Sequence, residues 1–130
     1  FKKTGVVLDY LMSQSVDFIV LAGFLIKISN DIIRAYPNKI VNLHPSLLPK
    51  YGGKGMYGKR VHRAVIEAQE SESGISIHFV NKEYDEGAII FQAKVSVEKG
   101  DSVEVLTKKI QQLEHRFFPK VIEQVIGKSL

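Results

Sequence analysis

The sequence predicts an α/β fold in a single domain, residues 1–130. Segments with the three-to-four-residue apolar spacing of amphipathic helices alternate with short apolar runs typical of buried strands. Near the C-terminus, two alternating segments are separated only by Asn81–Gly87, which predicts an antiparallel pair. Together these observations favour a mainly parallel sheet with crossover helices and an antiparallel strand pair near the C-terminus.

The composition is that of an ordinary globular domain, with 45% hydrophobic and 25% charged residues. Cysteine is absent, which excludes disulfides and thiolate metal ligands. No apolar run approaches the roughly 20 residues needed to span a bilayer, so we expect no membrane partner. The net charge of +4 comes from scattered basic residues without interleaved aromatic side chains, so we expect no nucleic-acid partner.

The first half of the chain predicts two helices, each followed by a strand. Val7–Met12 has helical apolar spacing, and Asp17–Phe24 is typical of a buried strand in a parallel sheet. A second helix is expected to begin at Ser29–Asp31, whose short polar side chains favour helix starts, and to end at Pro37. The next strand is predicted over Ile40–His44.

The second half begins with a glycine-rich segment, Lys50–Arg60, which predicts a mobile surface loop. It is not a nucleotide fingerprint, because no G-x-G-x-x-G follows a strand and opens a helix there. Beyond it the patterns predict, in order, a helix, two strands and a long helix: Val61–Glu70, Gly74–Val80, Ala88–Val97 and Ser102–Ile126. Pro119 is expected to break or kink the last helix.

Asn42 and His44 interrupt the apolar strand that begins at Ile40. Because residues i and i+2 of a strand point to the same side, the two side chains are expected to share one face. Pro45 has no amide hydrogen for a sheet ladder, so the strand should end there and present both groups at its carboxyl end. In open α/β sheets ligands bind at that edge, so we expect the functional site there.

Two motifs resemble the phosphoribosylglycinamide formyltransferase family. Asn42–Tyr51 resembles its active-site strand and loop, and Gly74–Gly87 resembles its second signature. The similarity continues in order through three further segments: Gln92–Val95, Gly100–Ser102 and Gln111–His115. The resemblance implies a Rossmann-like formyltransferase domain, of which residues 1–130 would be the C-terminal part. The N-terminal βαβ units and their phosphate-binding loop are then expected to be missing.

The resemblance implies transfer of a formyl group from 10-formyltetrahydrofolate, the co-substrate, to the amine of glycinamide ribonucleotide in purine biosynthesis. Asn42, His44 and Asp85 match the catalytic residues of the family: the asparagine holds the formyl oxygen, and the aspartate pairs with the histidine. The chemistry is coherent, because formyl transfer to an amine passes through an oxyanion that an amide and an imidazolium can stabilise. Imidazole titrates near neutrality and can also shuttle the proton.

Binding regions of the family match further positions. Those expected to contact the folate are Leu25, Ile26, Lys27, Ile28, Asn42, Asn81, Lys82, Glu83, Tyr84 and Asp85. Gln111 and Glu114 match contacts to the ribonucleotide. His62 and His78 are interpreted as structural or surface groups. Because no two histidines have a helical metal-ligand spacing with a carboxylate, no metal is expected.

Alternative functions share these motifs. Methionyl-tRNA formyltransferase and formyltetrahydrofolate deformylase resemble the chain in fold and in the Asn/His/Asp set, but the run His44–Pro49 favours the glycinamide enzyme. If the N-terminal half is missing, the chain is expected to be inactive alone, and a second alternative is an inactive folate-binding fragment. We expect a cytoplasmic location, and either the missing N-terminal segment or a second copy of the chain as a further partner.

Overall fold

The structure, a computed structural model, describes residues 6–22, 28–53, 55–80 and 88–129. The helices and strands in these residues are, in chain order, α1 Val6–Ser13, β1 Ile19–Ala22, α2 Asn30–Ala35, β2 Ile40–His44, α3 Lys59–Glu67, β3 Glu72–Phe79, β4 Ile89–Ser96 and α4 Val103–Ser129. Each predicted element is confirmed in kind, and most of the bounds agree within two residues. The predicted bounds of β2 agree with the structure at both ends.

The four strands form one sheet in the order β1-β2-β3-β4. β1 and β2 run parallel, with Ile19 opposite Ile40, as expected for two strands joined through a helix. β3 and β4 run antiparallel, with Ser76 opposite Gln92, which confirms the pair predicted from their short connection. The α/β class is therefore confirmed.

β2 and β3 are also antiparallel, with His44 opposite Ser76, a pairing that the sequence patterns did not predict. A helix between two strands had implied a parallel crossover. Here, however, the chain runs through residues 45–58 before α3 begins, and β3 then enters the sheet beside the carboxyl end of β2. In the described residues the sheet is therefore mixed, and its parallel character is confined to β1 and β2.

One face of the sheet is covered by α3 and α4. Its buried apolar side chains come from β2, β3 and the two helices: Val41, Leu43, Val61, Val65, Ile75, Ile77, Leu106, Ile110, Val121 and Val125. Full burial of one such side chain stabilises the fold by about 1.5–3 kcal/mol. This cluster therefore holds the two helices on the sheet.

The opposite face of the sheet changes character from β1 to β4. Near β1 it is apolar, because Leu21 and Ile40 pack with Ile28, Ile32 and Tyr36. Further along β2 the same face carries the two polar residues of the predicted site, since alternate residues of a strand share a face. The polar part of this face positions the candidate site.

α4 continues through Pro119, so of the predicted break or kink the break is wrong, and the kink stays a prediction. Proline removes one helical hydrogen bond and crowds the carbonyl four residues earlier, at a cost of about 3 kcal/mol. Beyond it, Val121 and Val125 are buried in the core cluster. Burial of these two side chains offsets that cost and keeps the chain helical.

Candidate functional site

Asn42 and His44 lie on one face at the carboxyl end of β2. The strand forms there because Ile40, Val41 and Leu43 are buried, and alternation turns Asn42 and His44 away from Val41 and Leu43. His44 is 3% exposed, whereas Asn42 is half-buried. The structure thus brings an amide and an imidazole together at the predicted edge.

The His44 ring is held by the loop that follows it. Its Nε2 lies 2.8 Å from the backbone carbonyl oxygen of Tyr51. A carbonyl oxygen can only accept, so Nε2 carries the hydrogen of this bond. The bond therefore selects the Nε2–H tautomer of the neutral ring.

The Asn42 amide is oriented by a histidine on the neighbouring strand. Its Nδ2 lies 3.3 Å from Nε2 of His78, which is opposite Asn42 in the β2–β3 register. Nδ1 of His78 donates to the carbonyl oxygen of Phe79 at 3.0 Å, and in the tautomer with its hydrogen on Nδ1 the other nitrogen, Nε2, accepts from the amide. The Asn42 nitrogen is thereby directed toward β3.

His78 is 2% exposed, so it is not a surface group, and sequence reasoning missed its contact with Asn42. A partial signal was present, because Ser76 and His78 alternate with the apolar Ile75 and Ile77 and mark a polar face on β3. The β2–β3 pairing was needed to show which residue that face meets.

A row of polar side chains crosses the sheet from His44 through Ser76 to Gln92. Ser76 is fully buried, and its Oγ accepts from the Leu48 amide at 2.9 Å and donates to the Ser46 carbonyl at 2.7 Å. The Gln92 amide nitrogen donates to the Leu48 carbonyl at 3.0 Å and to Ser76 Oγ at 2.9 Å. The loop after His44 is therefore tied to β3 and β4.

The end of this loop, Lys50 and Tyr51, is bonded to Glu70, which follows α3 in the chain. The Tyr51 hydroxyl donates to the Glu70 carboxylate at 3.0 Å, and Lys50 Nζ lies 3.2 Å from the same oxygen. The hydrogen bonds from Tyr51 and Lys50 lower the pKa of Glu70, while burial and then Glu70 itself raise the pKa of Tyr51. The first two residues of the glycine-rich segment, Lys50 and Tyr51, are thus held by Glu70.

His62, on α3, is a second buried histidine, with 4% exposure. Its Nδ1 is buried and makes no hydrogen bond. Burial lowers the pKa of His62, and the charge of a protonated His44 lowers it further. No sequence pattern indicated that α3 would place it within electrostatic reach of His44.

Gln111 and Glu114 lie three residues apart on α4 and therefore on one helix face. Gln111 is exposed and Glu114 is half-buried. Burial raises the pKa of the Glu114 carboxyl, and the neighbouring His115 acts in the opposite direction. These two residues belong to a different element from Asn42 and His44, and their role as ribonucleotide contacts stays a prediction.

Asp85 and most residues matched to the folate pocket lie outside the described residues: Leu25, Ile26, Lys27, Asn81, Lys82, Glu83 and Tyr84. Ile28 is described and is buried in the apolar cluster with Ile32 and Ile40. The expected roles of all these residues stay predictions.

In residues 6–22, 28–53, 55–80 and 88–129, no three His, Cys, Asp or Glu side chains form a group that could hold a metal ion. No helix within the described part of the chain is long and apolar enough to cross a membrane. A cleft of about 620 Å³ lies between Ile66–Ser71 and Val97–Asp101; neither Asn42 nor His44 lines it.

Known proteins match most of the chain. A family model described as formyl transferase matches residues 4–122. The chloroplastic phosphoribosylglycinamide formyltransferase of Arabidopsis thaliana is 46% identical over 114 residues, which are 88% of this chain and 39% of that protein. The phosphoribosylglycinamide formyltransferase of Haemophilus influenzae is 43% identical over 115 residues, 88% of this chain and 52% of that protein.

A solved structure agrees with the sequence matches. The crystal structure of phosphoribosylglycinamide formyltransferase from Bacillus halodurans superposes with a TM-score of 0.86 at 37% identity, and covers 95% of this chain and 61% of that one. The chain thus spans about half the length of these relatives. The matches confirm the resemblance first seen in the strand-end motif, and the chain belongs to the formyl transferase family.

Proposed function

We propose that the chain forms the formyl-transfer site of a phosphoribosylglycinamide formyltransferase. The reaction moves a formyl group from 10-formyltetrahydrofolate to the amine of glycinamide ribonucleotide. The observation that carries the proposal is the placement of Asn42 and His44 on one face at the carboxyl end of β2, in a chain of this family. An amide donor and an imidazole are the groups that acyl transfer to an amine requires.

Asn42 is assigned to the formyl oxygen. Its Nδ2 carries two hydrogens, and one of them is directed to His78. As the resemblance implies, this amide holds the formyl oxygen, which becomes negatively charged as the amine attacks. A donor held in place for a developing oxyanion typically contributes about 3 kcal/mol to catalysis. The contact with His78 holds the amide in position before the charge develops.

His44 is assigned to proton transfer, as the resemblance implies, with its ring held by the bond from Nε2 to the Tyr51 carbonyl. The ring takes the proton lost by the attacking amine and passes it to the leaving nitrogen. The protonated ring also stabilises the negative oxygen. Asp85 is assigned, from the family resemblance, to pair with His44; a carboxylate there favours the imidazolium and raises the pKa of the ring.

The formyl group is supplied by 10-formyltetrahydrofolate when it is bound. The donor set of Asn42 and His44 fits this co-substrate, because it pairs an amide N–H with a proton-transferring ring. The residues assigned to hold the pterin are Leu25, Ile26, Lys27, Ile28, Asn81, Lys82, Glu83, Tyr84 and Asp85. The burial of Ile28 among apolar side chains supports an apolar wall at the end of the first of these segments.

Gln111 and Glu114 are assigned to the ribonucleotide. One exposed amide and one half-buried carboxyl on the same face of α4 suit a ligand rich in hydroxyl groups. We propose the cytoplasm as the place of the reaction.

The test is an acceptor comparison with the protein at its full encoded length. The protein is incubated with 10-formyltetrahydrofolate and, in parallel, glycinamide ribonucleotide, methionyl-tRNA or water alone. We expect mass spectrometry to find one added formyl group on glycinamide ribonucleotide, and neither formyl-methionyl-tRNA nor formate above a protein-free control. Formylation of the tRNA, or formate release without ribonucleotide product, would instead identify a sister activity.

A further inference from the structure

All three hydrogen-bonding positions of the Ser76 hydroxyl are occupied, two by the loop after His44 and one by the side chain of Gln92. A hydroxyl has one donor and two acceptor positions. Here the donor goes to the Ser46 carbonyl at 2.7 Å, and the acceptors take the Leu48 amide at 2.9 Å and the Gln92 amide nitrogen at 2.9 Å. The side chain is fully buried, so these bonds form away from solvent.

Gln92 reinforces the same attachment from β4. Its side-chain nitrogen has two hydrogens, one donated to Ser76 Oγ and the other to the Leu48 carbonyl at 3.0 Å. Both backbone polar groups of Leu48 are therefore bonded to side chains of the sheet. The pair of Ser76 and Gln92 is called the loop clamp below.

The loop is also bonded within itself, so that its attachment extends to Tyr51. Ser46 Oγ donates to the Lys50 carbonyl at 2.6 Å, and the Lys50 amide donates to the Leu47 carbonyl at 3.1 Å. Tyr51 follows directly, and its carbonyl is the acceptor for Nε2 of His44. A continuous set of hydrogen bonds thus links Ser76 to the His44 ring.

We propose that Ser76, assisted by Gln92, is a positioning residue for formyl transfer: the loop clamp holds the Tyr51 carbonyl where it fixes the ring of His44. This inference rests on the proposed function. Neither clamp residue belongs to the predicted catalytic set, and both act on the reaction through residues 46–51.

The expected consequence follows from geometry. Ser76→Ala leaves the Leu48 amide and the Ser46 carbonyl without their partner in a buried place, so the loop must shift to find others. A shift of about 1 Å at a catalytic group costs up to about 100-fold in rate. The His44 ring would also lose the contact that selects one tautomer.

The test uses the protein at its full encoded length and three variants. Ser76→Ala removes the hydroxyl, and Gln92→Glu keeps the side-chain shape but removes both amide hydrogens. Ser73→Ala is the matched control, because Ser73 is a buried serine of β3 whose hydroxyl makes no hydrogen bond. Three quantities are measured for each variant: the melting temperature, kcat and KM for both substrates, and the ¹⁵N NMR signals of the His44 ring at about pH 8, where an ordinary imidazole is neutral.

We expect Ser76→Ala and Gln92→Glu to lower kcat about tenfold or more while KM changes less than about twofold. Their His44 signals should move from the Nε2–H pattern toward a mixture of tautomers, and Ser73→Ala should match the parent in both readouts. A folded Ser76→Ala protein with parental kcat and ring signals, but a lower melting temperature, would make the role structural and overturn the inference.

Two further outcomes are also decisive. If Ser76→Ala does not fold, Gln92→Glu decides the matter, because Gln92 is exposed on β4 and its change leaves the core intact. If the parent protein transfers no formyl group, the proposed function fails. The ring signals need no substrate and still decide whether the clamp positions His44.

Discussion

Asn42 Nδ2 and His78 Nε2 lie 3.3 Å apart, although 36 positions separate the two residues in the chain. The antiparallel pairing of β2 with β3 places them opposite each other. Because Nδ1 of His78 donates to the Phe79 carbonyl, the ring presents a fixed acceptor to the amide. The orientation of the Asn42 amide, the proposed oxyanion donor, is thus set by a residue of β3 that lies outside the Asn42–Tyr51 motif.

His78→Phe should lower kcat about tenfold, since a phenyl ring has no acceptor for the Asn42 amide. A double-mutant cycle with Asn42→Ala measures this coupling. In the Asn42→Ala background, His78→Phe should cost little more. Equal losses in both backgrounds would show that His78 acts independently of Asn42.

Asn42→Ala should reduce kcat by about 100- to 1,000-fold, the usual loss for one oxyanion donor. Asn38→Gly is the control, because Asn38 is exposed and has a positive φ that glycine tolerates. Steady-state kinetics on both variants give the comparison. An Asn42→Ala enzyme within threefold of the parent would remove Asn42 from the proposed mechanism.

Gly74→Ala should destabilise the protein by about 3 kcal/mol, because an added Cβ collides with the Ala93 carbonyl oxygen on β4 and lies 2.7 Å from Leu47 Cδ2. Gly127→Ala is the matched control on α4, where a Cβ meets nothing within 4 Å. There the alanine should stabilise the helix by up to about 1 kcal/mol. Urea unfolding of both variants tests whether the free energy of unfolding falls for Gly74→Ala and rises for Gly127→Ala.

Leu106→Ala should lower the free energy of unfolding by about 2–5 kcal/mol, because Leu106 is fully buried in the cluster under α4. The adjacent Val105 is 41% exposed, so Val105→Ala should change the free energy of unfolding by less than about 0.5 kcal/mol. Similar losses at the two positions would contradict the described orientation of α4.

Asp101 should make stability depend on pH. Its carboxylate lies 2.7 Å from Lys109 Nζ and accepts from the Glu98 amide at 2.9 Å. These two contacts, the lysine first, hold the pKa of Asp101 below its usual value of 3.8. A lowered folded-state pKa means that the stabilisation is complete above the unfolded-state pKa and is lost as the pH falls through the folded-state value.

Asp101→Asn should therefore unfold at lower urea than the parent at pH 7, and the difference should shrink as the pH falls below about 4. Glu123→Gln, on an exposed position of α4, controls for loss of a surface charge. A difference between Asp101→Asn and the parent that is constant from pH 7 to acid pH would show that the carboxylate charge is not the cause.

Local patterns predicted the elements because their causes are local. The alternation of Ile40–His44 and the proline after it determine where β2 lies and which two polar groups it presents. Pro119 is a case that local patterns cannot predict. The proline costs free energy within the helix, but the burial of Val121 and Val125 favours continuation of the helix. That burial depends on the sheet and on α3.

The sequence by itself determined the α/β class, the placement of Asn42 and His44 on one strand face and the family resemblance, since each depends on residues close together in the chain. Only the tertiary structure decided that β3 runs antiparallel to β2, and with it that His78 meets Asn42 and Ser76 lies beside His44. Strand pairing joins residues more than 30 positions apart through hydrogen bonds between backbones, which are nearly alike for all residue types. The sequence around Asn42 and His44 therefore contains almost no signal for the β3 residues, His78 and Ser76, that orient the site.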